Sequence, residues 1–234
     1  MRIDENFYIN NVSNIQKCNA PTKVSQIFVT KSSESKNTIP SYFSSPKYLE
    51  LKNMVEKYDL STNYVLKSEK LDYASACRKN FVSEFGTIKS GSMQQLVLNP
   101  LSPEFDSTLT DKINKMRKEC RGEGNYAKNL KTLMKERKIG NCTDIALVTA
   151  DDINQKQNKY KAELLYASIL SDDVISNHVA VLVKDKNENN DVSANSIVLD
   201  NWLGGVFKYS DWVKIVKHLY NSNSVSTYVA DSNK

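Results

Sequence analysis

One almost uninterrupted apolar run, His178-Val179-Ala180-Val181-Leu182-Val183, most strongly limits what this chain can fold into. Its length and β-branched residues predict a strand, and apolar residues on both faces predict that both faces are covered. A second strand is predicted over 196–200, after a polar connection at 186–195 that is typical of an exposed hairpin loop. Antiparallel pairing through this loop would bring the start of the first strand beside the end of the second. His178 would then lie beside Asp200.

Helical patterns dominate the chain before these strands. Apolar residues at helical spacing predict helices that begin at Ser45-Pro46, at Ser102-Pro103 and at 142, and helices over 70–85, 126–139 and 159–170. One more helix is predicted after the strands, from Ser210. Ser90-Gly91-Ser92 predicts a turn, Leu96-Val97-Leu98 a short strand or an extended link, and 224–229 a last strand. Helices followed by a helix-to-sheet half predict an α+β fold.

The same patterns divide the chain into three parts. Residues 1–45 are rich in Ser, Asn, Lys and Thr, with Ile27-Phe28-Val29 as their one compact apolar cluster, and predict a flexible leader. Residues 46–121 predict a helical region that could recognise a substrate. Residues 122–234 hold the helix predicted from 142 and the predicted sheet, and we expect the catalytic core there.

Composition excludes several classes of function. The net charge of +5 is dispersed among acids, which argues against a nucleic-acid partner. No apolar run approaches the roughly 20 residues that span a bilayer, and the N-terminal residues lack the charged-then-apolar pattern of Sec-type export. Four scattered cysteines without a CxxC pair, and only two histidines, predict free thiols in a reducing compartment and neither a metal site nor a cofactor.

Cys142 is the candidate nucleophile. Gly140-Asn141 ends the preceding helix, and Asn141 is a good N-cap, so Cys142 is predicted in the first turn of a buried helix. The positive end of a helix favours a thiolate, which is the reactive form of cysteine. His178 could serve as base and Asp200 as the group that orients it. Taken singly, a cysteine, histidine or aspartate at such a position more often has a structural role. The placement of all three at the ends of predicted helices and strands favours a catalytic site.

The other titratable candidates have structural explanations. Cys77 and Cys120 fall on apolar helical stripes, which predicts that they pack in the core. His218 lies among lysines in a helix and is predicted to face solvent. Cys18 lies in the leader.

These motifs carry a resemblance. Gly-Asn-Cys with an alanine four residues after the cysteine, His-Val-x-Val, and Val-Leu-Asp-x-Trp are similar to a papain-like group that includes the deamidase domain of the Pasteurella dermonecrotic toxin and related bacterial type III secreted effectors. More distantly, they resemble the transglutaminase core and effector cysteine proteases. The similarity covers about 125–229. One departure is Asn201, where many relatives carry proline.

The resemblance implies a papain-like core, with the nucleophile helix packed on a small antiparallel sheet. It implies that Cys142 is the nucleophile, His178 the base and Asp200 the orienting acid, with Trp202 packed beside the site. Backbone N–H groups near Cys142 would hold the oxyanion, and Asn141, Asn125 or Asn129 could add a side-chain donor. The structural alternatives are that the asparagines are ordinary exposed polar residues of helices and that Trp202 only packs in the core.

Three functions remain open from the sequence. The first is a bacterial effector that deamidates a glutamine of a host protein through a thioester. The second is a cysteine protease or transglutaminase on the same scaffold, and the third is a non-catalytic binding domain. For the effector, we expect secretion by a type III system into the host cell cytoplasm and a secretion chaperone at the N-terminus.

Overall fold

A computed structural model of the chain describes residues 45–62, 68–121, 125–156, 159–171, 174–188 and 191–230. Residues 1–44 of the predicted leader, which include the expected secretion segment, lie outside these ranges. Within them the chain forms α1 (Pro46–Tyr58), α2 (Glu69–Phe85), α3 (Gly91–Val97), α4 (Leu109–Glu119), α5 (Tyr126–Arg137), α6 (Cys142–Asn154), β1 (Tyr160–Ser171), β2 (Val174–Asp185), β3 (Ile197–Asp200), β4 (Gly205–Lys208), α7 (Tyr209–Leu219) and β5 (Ser224–Val229). The predicted α+β class is confirmed. None of the described helices is long and apolar enough to span a bilayer.

The five strands form one antiparallel sheet in the order β4-β3-β2-β1-β5. β2 and β3 pair as predicted, with Val181 opposite Leu199 and Leu182 opposite Val198. Helix α6 packs on β1 and β2. The first turn of α6 and the paired strands β2 and β3 therefore lie in the same part of the molecule.

Local signals locate several helix ends correctly. Ser45 caps α1, since its Oγ accepts the Tyr48 N–H at 3.2 Å. Gly86 ends α2 with a φ of +62°, a conformation that glycine adopts without strain. The predicted stripe of α4 is buried, including Ile113, Met116 and Cys120. The helix begins at Leu109, however, and not at Ser102-Pro103 as predicted.

The predicted helix over 159–170 is wrong: these residues form β1. All twelve residues of β1 pair with β2, and its second half also pairs with β5. Tyr160, Leu164, Leu165 and Ile169 have helical spacing, but every residue from Leu164 to Ala167 is buried, as both faces of a covered strand require. Long-range pairing decided between two structures that the local pattern allows.

The predicted turn at 90–92 and the strand or extended link at 96–98 are also wrong. Ser90 caps the short helix α3, its Oγ accepting the Met93 N–H at 3.2 Å. Leu98 is the C-cap of that helix. Serine before a glycine is an N-cap signal as much as a turn signal, and here the helix wins because Met93 and Val97 face the core.

The helical region shares one hydrophobic core with the sheet. The Asp59 carboxylate, buried beyond the end of α1, accepts the Val206 N–H of β4 at 2.9 Å. The Leu60 N–H donates to the Val206 carbonyl at 2.7 Å. Residues 46–121 are thus tied directly to the strands that position the site.

Candidate active site

Cys142 is the first residue of α6, and a buried ion pair fixes this turn. The Asn141 N–H donates to Asp144 Oδ2 at 2.8 Å, so that Asp144 caps the residue before Cys142. Arg117 of α4 binds the same carboxylate through two hydrogen bonds, of 2.7 Å from Nε and 2.8 Å from Nη2. Burial opposes the charge of Arg117, but Asp144 outweighs it and raises the pKa of the guanidinium above its ordinary value. The guanidinium therefore stays charged, and the pair holds the start of the helix.

The β2–β3 register brings His178 to Asp200. Leu182 lies opposite Val198, so the pairing runs towards Asp200 at the end of β3. His178 follows on the same face of β2, and its Nε2 lies 2.6 Å from Asp200 Oδ2. The two side chains are 0% and 1% exposed. This contact is the one that antiparallel pairing predicts.

Four hydrogen bonds hold the Asp200 carboxylate. Oδ1 accepts the backbone N–H groups of Trp202 at 3.1 Å and of Leu203 at 2.9 Å. Oδ2 accepts Trp212 Nε1–H at 2.8 Å in addition to its contact with His178. These partners satisfy both oxygens of the buried carboxylate and fix its orientation towards the imidazole.

The second nitrogen of His178 is left for Cys142. Nδ1 is buried and makes no hydrogen bond of standard geometry with any described residue. Burial alone would lower the pKa of His178, but the Asp200 carboxylate and, to a smaller extent, the Cys142 thiol raise it to about 10. Cys142 therefore lies near enough to influence the ring. Because Nε2 is bound to Asp200, Nδ1 is the ring nitrogen that remains for a contact with the thiol.

Aromatic side chains surround this imidazole. The ring centroid of Trp202 lies 4.8 Å from that of His178, and those of Trp212 and Tyr220 lie at 5.8 Å and 6.5 Å. Such faces stabilise a protonated ring and exclude water from it. Burial raises the pKa of Tyr220 well above its ordinary value, so this phenol stays neutral.

Ser90 connects the helical region to the site, and sequence reasoning missed it. Its Oγ accepts Trp202 Nε1–H at 2.8 Å and donates to Asn141 Oδ1, 3.1 Å away. The Ser92 N–H donates to the same Asn141 oxygen at 3.1 Å. Since a backbone N–H can only donate, these bonds identify the amide oxygen of Asn141 and leave its NH₂ group for a ligand. The cap signal at Ser90 could have revealed the helix, but not its contact with Trp202.

A shallow depression lies beside Cys142. It has no room for a water molecule, unlike the pockets of roughly 300–1,000 Å³ that typically bind small molecules. Its lining consists of Cys142, Ile145, Ala146, Thr149, Val179, Ala180, Leu199, Asp200, Asn201 and Trp202. Cys142 is 7% exposed. Cys142, Asp200 and Trp202 therefore line one narrow, largely apolar depression, and His178 lies buried against Asp200 outside that lining.

The remaining predicted residues lie elsewhere. Asn125 is the exposed N-cap of α5, where its Oδ1 accepts the Lys128 N–H at 3.3 Å, and it does not line the depression. Cys77 and Cys120 are buried, and burial raises the pKa of both thiols, that of Cys120 to about 11. His218 is exposed and lies 3.1 Å from Glu50.

His178 and Asp200 thus form one buried pair, and Cys142 lies near it at the start of α6, in a region held by residues of α3 and α4. No group of three or more His, Cys, Asp or Glu side chains in the described residues is arranged to hold a metal ion. No protein-family model matches this chain, and no curated protein or solved structure is significantly similar to it.

Proposed function

We propose that this chain is a cysteine-dependent hydrolase with a papain-like core. One observation carries the proposal: the buried His178 contacts Asp200 through Nε2 and leaves Nδ1 for Cys142 at the start of a helix. A nucleophile, a base within reach and a third group that orients the base are the parts that acyl transfer requires.

In the resting enzyme Nδ1 of His178 would already hold the proton of the Cys142 thiol, in keeping with the raised pKa of this ring. Asp200 stabilises the imidazolium, and the thiolate attacks a carbonyl carbon. The first N–H groups of α6 have no partner within the helix, so they can hold the oxyanion together with the NH₂ group of Asn141. His178 then protonates the leaving nitrogen, and a thioester forms. Attack by water, which gives its proton back to His178, releases the acid and the thiol.

The shape of the opening favours a side-chain carboxamide as substrate. A protease must place an extended main chain across its nucleophile, which needs a groove on both sides. Here Cys142 is 7% exposed in a shallow depression that has no room for a water molecule. A glutamine side chain ends in a slender carboxamide, which needs less room at the sulfur than an extended main chain does. The proposed reaction is therefore deamidation of a glutamine on a host protein, with loss of ammonia.

The proposal extends to delivery by a type III system into the host cell cytoplasm. Its support is the polar composition of residues 1–45 and the resemblance of the motifs to secreted effectors. A fusion of residues 1–45 to a reporter enzyme, expressed in a strain with a type III system, tests it. The reporter should reach the host cytoplasm only when that system is intact.

Cys77 provides an internal control for the nucleophile. It is 8% exposed, close to the 7% of Cys142, but it has no imidazole beside it. Iodoacetamide at pH 7 should alkylate Cys142 much faster than Cys77 in the same folded molecule, as peptide mass analysis can measure. Equal rates would refute the catalytic assignment.

Intact-mass analysis of host proteins distinguishes the reactions. Deamidation adds about one dalton to a substrate, whereas a protease produces fragments and a transglutaminase adds an amine. Cys142→Ala should abolish the mass change while retaining the fold. Cys77→Ala should retain it. Activity that persists in Cys142→Ala would exclude this cysteine as nucleophile.

A further inference from the structure

Asn201 has an unsatisfied acceptor beside the nucleophile. It follows Asp200 in the chain, and it lines the same depression as Cys142. Its Nδ2 donates to Thr149 Oγ1 at 2.9 Å. Its Oδ1 is buried and has no hydrogen-bond partner among the described residues. Buried polar atoms are nearly always paired, so this oxygen needs an explanation.

The bond to Thr149 determines how the Asn201 amide is oriented. The Thr149 hydroxyl has one hydrogen, and it donates that hydrogen to the Ile145 carbonyl at 2.8 Å. It can therefore only accept from Asn201. The group facing Thr149 must be the NH₂, and the unpaired atom of the side chain must be the carbonyl oxygen.

The surroundings offer this oxygen nothing else. Most of the lining is apolar, with Ile145, Ala146, Val179, Ala180 and Leu199 contributing no polar side-chain group. A buried acceptor without a partner destabilises the empty site, and a ligand N–H would remove that penalty. The complementary ligand is one that brings an N–H donor into the depression.

We infer that Asn201 selects the substrate: its Oδ1 accepts a hydrogen bond from the N–H of a primary carboxamide whose carbonyl carbon lies at Cys142. This inference rests on the proposed function, and it names the substrate class as glutamine or asparagine side chains. A carboxylate has no N–H and would place a negative oxygen against the Asn201 carbonyl. The site therefore prefers the amide to its acid product, and the product leaves once ammonia is lost.

Two small reagents test this selection without a known substrate. Iodoacetamide carries a primary carboxamide one carbon from the atom that the sulfur attacks, whereas iodoacetonitrile is neutral and has no N–H. Each alkylation rate of Cys142 is divided by that of N-acetylcysteine, and the ratio of the two quotients measures amide selection. Asn201→Leu removes the acceptor. Asn201→Asp keeps acceptor oxygens at the same position.

We expect the selection ratio to fall roughly three- to tenfold in Asn201→Leu and to stay within about twofold of wild type in Asn201→Asp. An unchanged ratio in folded Asn201→Leu would overturn the inference. So would an equal loss in Asn201→Asp, because the side chain would then act only through its bond to Thr149. If circular dichroism shows that Asn201→Leu does not fold, Asn201→Ala takes its place: the same fall in the ratio supports the inference, and an unchanged ratio overturns it.

Failure of the proposed function has a different signature. In that case wild-type Cys142 reacts with both reagents no faster than Cys77, and the inference falls with it. A Cys142 that reacts rapidly with both reagents but without regard to Asn201 leaves the hydrolase proposal intact and removes the selection alone.

Discussion

Asp200→Asn tests whether the carboxylate controls which His178 nitrogen carries the proton. Asp200 accepts bonds at both oxygens: two backbone N–H groups at Oδ1, and His178 and Trp212 at Oδ2. An asparagine retains one acceptor. If that oxygen stays with the backbone N–H groups, its NH₂ faces Nε2, which must then accept. The proton moves to Nδ1, so the ring can no longer take the proton of Cys142.

The magnitude follows from these bonds. The same exchange of acid for amide in a serine-protease triad costs about 10⁴-fold in turnover because it imposes the wrong tautomer, and we expect a similar loss. Trp212 Nε1–H would also lose its acceptor while facing an NH₂ group. A buried donor without a partner costs about 1–3 kcal/mol, so the free energy of unfolding should fall by at least this amount.

Two measurements decide the outcome. Urea denaturation gives the stability loss, and alkylation of Cys142 by iodoacetamide at pH 7 gives the activation. The alkylation rate in Asp200→Asn should approach that of Cys77. Trp212→Phe is the control, because it removes the indole donor and leaves the carboxylate, so its alkylation rate should stay near wild type. A folded Asp200→Asn that is alkylated at the wild-type rate would refute the role of Asp200.

Three further predictions concern stability. Arg117→Met leaves Asp144 buried without its partner, so the free energy of unfolding measured in urea should fall by about 3–5 kcal/mol. Adding Asp144→Asn to that variant removes the uncompensated charge and should restore part of the loss. Because the pKa of His178 is raised to about 10, the protonated ring stabilises the fold fully below about pH 6.5, and this stabilisation is lost as pH rises to about 10. The urea midpoint of wild type should therefore fall across that window, and the midpoint of His178→Gln should fall less steeply. Ser90→Ala leaves Trp202 Nε1–H without its acceptor and should cost about 1–3 kcal/mol by the same assay, with no loss expected for Ser92→Ala beyond a few tenths.

The sequence predicts the start of α6 and the contact between His178 and Asp200 because the signals for both are local. Asn141 before an apolar helix pattern locates the start of α6, and alternation in β2 and β3 assigns His178 and Asp200 to one face. A hairpin loop between two strands leaves antiparallel pairing as the simplest topology. These three facts suffice to predict the contact between His178 and Asp200.

The supporting residues could not be predicted because their partners are distant in the chain. Ser90 and Trp202 are 112 residues apart, and Arg117 reaches Asp144 across 27. The spacing of apolar residues along the chain carries no information about such distant contacts. The strand β4 has four residues, too few for a pattern. In β1 the apolar spacing suits a helix as well as a strand, and only its pairing with two neighbouring strands decides.

The bonds from the helical region to the sheet also bear on how the chain folds as it is synthesised. Val206, the hydrogen-bond partner of Asp59, follows it by 147 residues, and Trp202 follows its partner Ser90 by 112 residues. The first four helices therefore leave the ribosome long before the strands that complete their core. Until Val206 has emerged, the early helices lack part of their apolar cover and two of their polar partners. The nascent chain should remain open to proteases and chaperones until Trp202 and Val206 have emerged, and the candidate site should then form in one step.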